Sequence, residues 1–158
     1  MLDLHTFKVK QLVKVSDGDT FTAIIDRSFY DYSEMRIRIA HINAYEKSGN
    51  IATKYVRSYF LDNDIILPDK EERKALARQG TLLLEEFLRS AKIIIVKSVS
   101  KKTDSFGRII AEVYADDVNV GDKLLESNLI IRLIKYFLHK DTLQDDKQLT
   151  HACLFLIF

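Results

Sequence analysis

Three short stretches carry residues whose types could act together. "VSDGDT" sets Asp17 and Asp19 around Gly18. "IRIAHINAYE" holds Arg38, His41, Asn43 and Glu46. "TDSFGR" ends in Gly107 and Arg108. Asp19 and Asn43 offer a carboxylate and an amide carbonyl, hard oxygen donors that suit Ca²⁺ or Mg²⁺ better than zinc. A further carboxylate near such an ion, here Glu46, can activate or orient water. Two arginines, Arg38 and Arg108, can grip a phosphate and neutralise charge as the phosphorus becomes five-coordinate. Arginine suits this better than lysine because its planar fork matches phosphate oxygens and stays charged.

Each residue also has an ordinary reading. A DGD sequence is usually only a turn. Arg38 stands opposite Ile37 and Ile39 on a strand, and Arg108 opposite Ile109, Ala111 and Val113, so outward exposure is the default for both. Glu46 alone is a loop acid. His41 has the parity of a core face and reads as a satisfied histidine at a barrel end, not a ligand. Lys101 and Lys102 in "SVSKKTD" read either as a solvated loop or as a patch that tracks phosphates.

The elements around these residues place them at strand ends. Residues 6–26 read as two strands joined at Asp17-Gly18, a dipeptide that favours hairpins, with Asp19 opening the second strand. "EMRIRIAHI" (34–42) alternates with period two and is a third strand, with Met35, Ile37 and Ile39 on one face. A helix begins after "LPDKEERK": Pro68 stops what precedes it, and Asp69 with Glu72 makes a capping-box pattern. Leu76, Leu83, Leu84, Phe87 and Leu88 fall on one face of this helix, and Gly80 in that stripe allows close approach to a strand. "KIIIVKSV" and "RIIAEVYA" are the fourth and fifth strands. "VNVGDKLLESN" is a short helix capped by Asn119, and 132–149 is a further helical stretch. Five short strands with a helix between the third and fourth predict an α+β fold, a small closed OB-type barrel plus about three helices. Strand ends of such a barrel can converge on one rim.

Length and composition bound the rest. The chain has 158 residues, a one-domain length, so the expectation is a single domain over 1–158. Hydrophobic residues make up 47% and charged residues 30%, which excludes a disordered chain. The net charge of +1 announces no nucleic-acid binder, so any basic surface must be local. The lone Cys153 allows no internal disulfide and fits a reducing compartment. "MLDLHTFKVK" lacks the pattern of a signal peptide. The tail "ACLFLIF" (152–158) is far shorter than the roughly 20 residues that span a bilayer. A cytoplasmic location with no membrane partner is therefore expected.

Taken together, "VSDGDTFTAII", "RIRIAHINAYE" and "DSFGRIIAEVYADDVNVGDKLLESNLI" resemble the staphylococcal (micrococcal) nuclease family, in order and at fitting spacing, over about residues 9 to 136. The resemblance implies an OB-type five-stranded barrel with three helices. It implies Ca²⁺-dependent hydrolysis of phosphodiesters in DNA and RNA, commonly leaving 3′-phosphates, with Mg²⁺ or Mn²⁺ as alternative ions. By motif, Asp19 takes the place of the first calcium aspartate. Ala44 occupies the position whose backbone carbonyl helps to hold calcium. Arg38 and Arg108 stand for the two phosphate arginines, Glu46 for the glutamate beside the attacking water, and Tyr136 for a tyrosine lining the nucleotide pocket. Three departures stand out. Asn43 replaces the second calcium aspartate, Tyr45 replaces a proline, and segment 48–69 is longer than the usual loop. Asn43 keeps a second reading open, a nucleic-acid-binding barrel without catalysis. A third is a protein-interaction barrel that uses 48–67 or the apolar tail at 151–158.

Overall fold

The computed structural model describes residues 5–50 and 68–132. Strands β1 (Thr6–Asp17), β2 (Thr20–Asp26) and β3 (Tyr32–Ile39) form an antiparallel meander, followed by the short β4 (Ile42–Ala44). Helix α1 (Lys70–Ser90) comes next, then β5 (Ile94–Ser98), β6 (Ile109–Ala115), β7 (Val118–Asn119), helix α2 (Val120–Glu126) and β8 (Ile130–Arg132). The sheet order β3-β2-β1-β5-β6 closes through a parallel pairing of β3 with β6, and β7 adds one further strand to β6. The result is the expected α+β, OB-like barrel. β4 and β8 form a separate antiparallel pair. Among the described residues no helix is long and apolar enough to cross a membrane.

Alternation along the strands builds the core. Phe21, Ala23 and Ile25 of β2, Ile37 and Ile39 of β3, Val96 of β5, and Ala111 and Val113 of β6 are buried. Leu84 and Leu88 of α1 and Leu124 of α2 belong to the same core cluster. At β1 the ladder to β2 shifts register at three places, which lets one long strand bend and pair with β5 as well.

Both caps follow the sequence. The Asp69 side chain accepts from Glu72 N at 2.8 Å, and the Asn119 side chain accepts from Asp122 N at 3.1 Å. Helix α1 starts at Lys70, inside the stretch after which it was expected to begin. Its buried line is Ala77, Gly80, Leu84 and Leu88, with Leu83 and Phe87 only partly covered, so the packed face is turned slightly from the predicted stripe.

Three expectations are corrected. The third strand does not run to 42: it ends at Ile39, and His41 takes a left-handed backbone (φ 66°) in the turn before β4. That turn breaks the period-two count, so His41 is exposed instead of buried, with Nε2 3.9 Å from the Glu112 carboxylate. Arg132 ends β8 and does not begin a helix. The remainder of the 132–149 stretch, Cys153 and the apolar tail lie outside the described residues, as does the larger part of segment 48–69.

Candidate active site

The β1–β2 hairpin is tight. Asp17 pairs with Thr20, and Gly18 and Asp19 make the turn, so Asp19 stands just before the second strand and not in it. Gly18 is there for space. A Cβ on it would sit 2.8 Å from Ile130 Cδ1, 3.2 Å from Ala44 Cβ and 3.2 Å from the backbone carbon of Gly80. The glycine foreseen as a close-approach point on α1 therefore meets the hairpin turn, glycine against glycine. This contact presses the Asp19 turn against α1, β4 and β8.

Asp19 is only 7% exposed, unusual for an acid, and its partners account for it. Oδ2 accepts from Ala44 N at 2.9 Å, and Oδ1 from the Thr20 hydroxyl at 2.8 Å. Its backbone carbonyl accepts from Ile39 N at 2.8 Å. Arg38 Nη2 lies 3.4 Å from Oδ2. The same nitrogen donates to Asn43 Oδ1 at 2.9 Å, while Nη1 donates to the Ile42 carbonyl at 3.1 Å and, at 3.3 Å, to that of Ile39. Arg38 thus lies on the outer face of β3, as parity requires, but is not a solvated strand residue. Its side chain is 14% exposed and folded over the β3–β4 turn to reach Asn43 in β4.

Arg108 is held by a different device. Asp104 sits four residues earlier in "DSFGR". Its carboxylate accepts from Phe106 N and Arg108 N, both at 2.9 Å, and from Arg108 Nε at 2.8 Å. Gly107 supplies the left-handed residue of that turn (φ 73°). Burial alone would raise the Asp104 pKa, but the Arg108 and Phe106 hydrogen bonds outweigh it and hold the carboxyl below the usual range. With Nε so occupied, Arg108 Nη1 reaches toward the Thr20 hydroxyl at 3.5 Å, and the guanidinium lies over the Phe106 ring at 5.2 Å.

Glu46 follows β4 in an exposed turn that α1 ties down. Arg73 donates from Nε to the Gly49 carbonyl at 2.8 Å and from Nη1 to the Pro68 carbonyl, and Gly49 N bonds Glu46 O at 2.8 Å. Lys47 bonds the Ser16 carbonyl and fastens the turn to β1. Although exposed, the Glu46 carboxyl is pushed above its ordinary pKa. Partial loss of hydration is the first cause, then repulsion from Asp17 and Asp19; Arg108 and Arg38 pull the other way.

These elements surround one cleft of about 310 Å³, lined by Asp19, Arg38, Asn43, Ala44, Glu46 and Arg108 together with Asp17, Arg36, Tyr45 and Phe106. Six residues singled out in the sequence come together here from three separate stretches. Lys101 and Lys102 do not; they are exposed in the β5–β6 loop and do not line the cleft. Tyr136 lies outside the described residues. Asp104 and Phe106 were missed as participants, although an acid four residues before an arginine across a glycine turn is a readable signal.

The fit of the cleft to a cation can be judged from its donors. Asp19 Oδ2 and Asn43 Oδ1 converge on Arg38 Nη2, so the guanidinium fills the point between them and a cation there requires Arg38 to withdraw. Two hard oxygens so aimed match Ca²⁺ or Mg²⁺ by type. Only one of them is charged, and among the described residues no group of three or more Asp, Glu, His or Cys could hold a metal ion. The donor set therefore fits a hard cation of low affinity that needs water and substrate oxygens to complete its shell. No protein-family model matches the chain, and no curated protein matches it.

Proposed function

We propose that the protein is a metal-dependent nuclease that hydrolyses phosphodiester bonds of DNA, and of RNA as well, leaving 3′-phosphates. The observation that carries this reading is the meeting of Arg38, Arg108 and Glu46 with Asp19 and Asn43 around one cleft. The resemblance of the three motifs to the staphylococcal nuclease family supports it from the sequence side.

Asp19, Asn43 and the Ala44 backbone carbonyl would hold Ca²⁺, which when bound supplies positive charge to polarise the phosphate. Arg38 and Arg108 bind the phosphate oxygens and offset the charge that grows as water adds. Asp104 presets the Arg108 fork, so little ordering remains there on binding, whereas Arg38 must release the Asn43 oxygen from Nη2 to meet a phosphate. Glu46 accepts the proton from water, or orients it, at the mouth of the cleft. Its raised pKa suits a general base better than a fully solvated glutamate. Asn43 favours the other reading, a binding barrel without catalysis, because it replaces a charged ligand by a neutral one.

The test is incubation of wild type and Glu46→Gln with single-stranded DNA in Ca²⁺, Mg²⁺, Mn²⁺ or EDTA, followed by end-group analysis. Expected are cleavage by wild type with metal only, 3′-phosphate ends, and turnover by Glu46→Gln lower by on the order of 10²-fold or more at similar substrate affinity. Because protonated Glu46 is inactive as a base and its pKa is raised, the wild-type rate should fall on acidification before the pH reaches the ordinary glutamate range. Binding without cleavage in any metal would establish the binding barrel instead.

A further inference from the structure

The loop between β2 and β3 places two aromatic rings in water. Phe29 is 97% exposed and Tyr30 93%. Both, with Ser28, have left-handed backbones, at φ 54°, 63° and 74°. Residues other than glycine adopt this conformation only where surrounding bonds enforce it. Here they do. Arg27 N bonds the Asp31 carbonyl and Asp31 N the Ser28 carbonyl, both at 2.9 Å, and Ser28 N bonds the Asp26 carboxylate at 2.8 Å. Arg27 also pairs with Asp31 across the loop at 3.2 Å. The rings are thus held out by a braced loop, and burial in the described body does not account for them.

The position of this tip gives it a partner. The β2–β3 ladder runs in unbroken register from Thr20 opposite Arg38, at the cleft, to Asp26 opposite Tyr32, at the tip. Six steps along a strand span on the order of 20 Å. Between the ends, on the outer face, come Arg36, which itself lines the cleft, and Lys14, paired in register through Thr22. Nearest the tip, Lys10 covers the Tyr32 ring with its ammonium 3.4 Å from the centroid. One face of one ladder thus joins a phosphate-type cleft to an aromatic platform, at a span within the roughly 4–16 nucleotides that one OB-type barrel covers.

We propose that Phe29 and Tyr30 form a stacking platform for unpaired bases of the nucleic-acid strand whose phosphate occupies the cleft. This rests on the proposed function and extends it, by assigning single-stranded substrate that reaches several nucleotides beyond the reacting phosphate. Charge argues for bases over an anionic membrane. Around the tip, Lys8, Lys10 and Arg27 are balanced by Asp26, Asp31 and Glu34, whereas docking to anionic lipid calls for net positive charge. Stacking on aromatic faces needs no such excess.

The experiment compares the full-length wild-type chain with Phe29→Ala/Tyr30→Ala. Oligothymidylates of about 3 and about 12 nucleotides are used, affinity being read by anisotropy in EDTA and turnover in Ca²⁺; the longer probe matches the span of an OB barrel. Expected is weaker binding of the longer strand by on the order of tenfold, little change for the shorter, and the same fold-loss at low and moderate salt. Tyr30→Phe, which keeps the ring, should bind as wild type. A double variant that binds both lengths like wild type overturns the platform while leaving the nuclease reading intact. Loss of binding to phosphatidylserine vesicles with DNA affinity unchanged also overturns it, in favour of a lipid surface. A wild type that neither binds nor cleaves either strand removes the proposed function, and the platform with it.

Discussion

The two ends of the β2–β3 ladder break the usual rule of burial in opposite directions. At the Thr20–Arg38 end an acid and an arginine are withdrawn from water. At the Asp26–Tyr32 end two aromatic side chains stand almost wholly in it. Withdrawing Asp19 and Arg38 is tolerable because nearly every lone pair and N–H there has a partner, and the pair is worth little to stability unless those partners are kept. Exposing Phe29 and Tyr30 forgoes the burial of two large rings and adds backbone strain. One end is held by its own hydrogen bonds, and the other leaves two rings uncovered among the described residues. On the proposed function, the first end is the one that performs chemistry and the second the one that holds the strand.

The largest effect should come from the arginines at the closed end. Arg38→Lys and Arg108→Lys are each expected to lower turnover by on the order of 10²–10³ with the fold retained. Arg38→Lys should cost stability as well, since an ammonium cannot serve the Ile39, Ile42 and Asn43 oxygens together as the fork does. Arg108→Lys should act mainly on rate. Single-turnover kinetics beside chemical denaturation would separate the two. Wild-type turnover in either variant removes that arginine from the mechanism.

What could be read in the sequence follows the same division. The barrel was legible because "FTAII", "RIRIA" and "IIAEVYA" alternate cleanly, and both helix caps were legible because Asp69 and Asn119 act within a few residues of themselves. The closed end was legible because its residues stand in three compact motifs. His41 was misplaced because parity counting assumes an unbroken strand, and a left-handed turn at His41 ended it. Gly18 was taken as a turn former, yet its φ is not left-handed; the need is for room beside Gly80, a tertiary contact with no local signature. Phe29 and Tyr30 went unremarked because two aromatics between strands look like any strand end until their exposure is seen. Arg36 joined the cleft through the fold alone, its Nη1 reaching the Phe106 carbonyl at 3.5 Å from 70 residues away.

The next effect is on stability. Asp19→Ala leaves Ala44 N without its acceptor and Arg38 without its counter-charge, in a buried place. Loss of one partner of such a pair should lower the free energy of unfolding by about 3 kcal/mol. The measurement is a urea midpoint at constant slope. A loss below about 1 kcal/mol would mean that the carboxylate is held for its ligand and not for the fold.

The smallest effect, and the sharpest for the comparison, belongs to Phe29→Gly. At φ 54° a phenylalanine carries left-handed strain of about 1 kcal/mol that glycine does not. Glycine returns part of this through the greater freedom of the unfolded chain. The exposed ring loses almost no burial when it is removed. The expected outcome is a net gain of at most about 0.5 kcal/mol in urea denaturation, with affinity for a long single strand reduced. A variant that is more stable yet binds less well identifies strain kept for binding, the opposite of Asp19→Ala. A clear loss of stability would show that Phe29 supports the barrel, and the contrast between the two ends would then be one of packing and not of function.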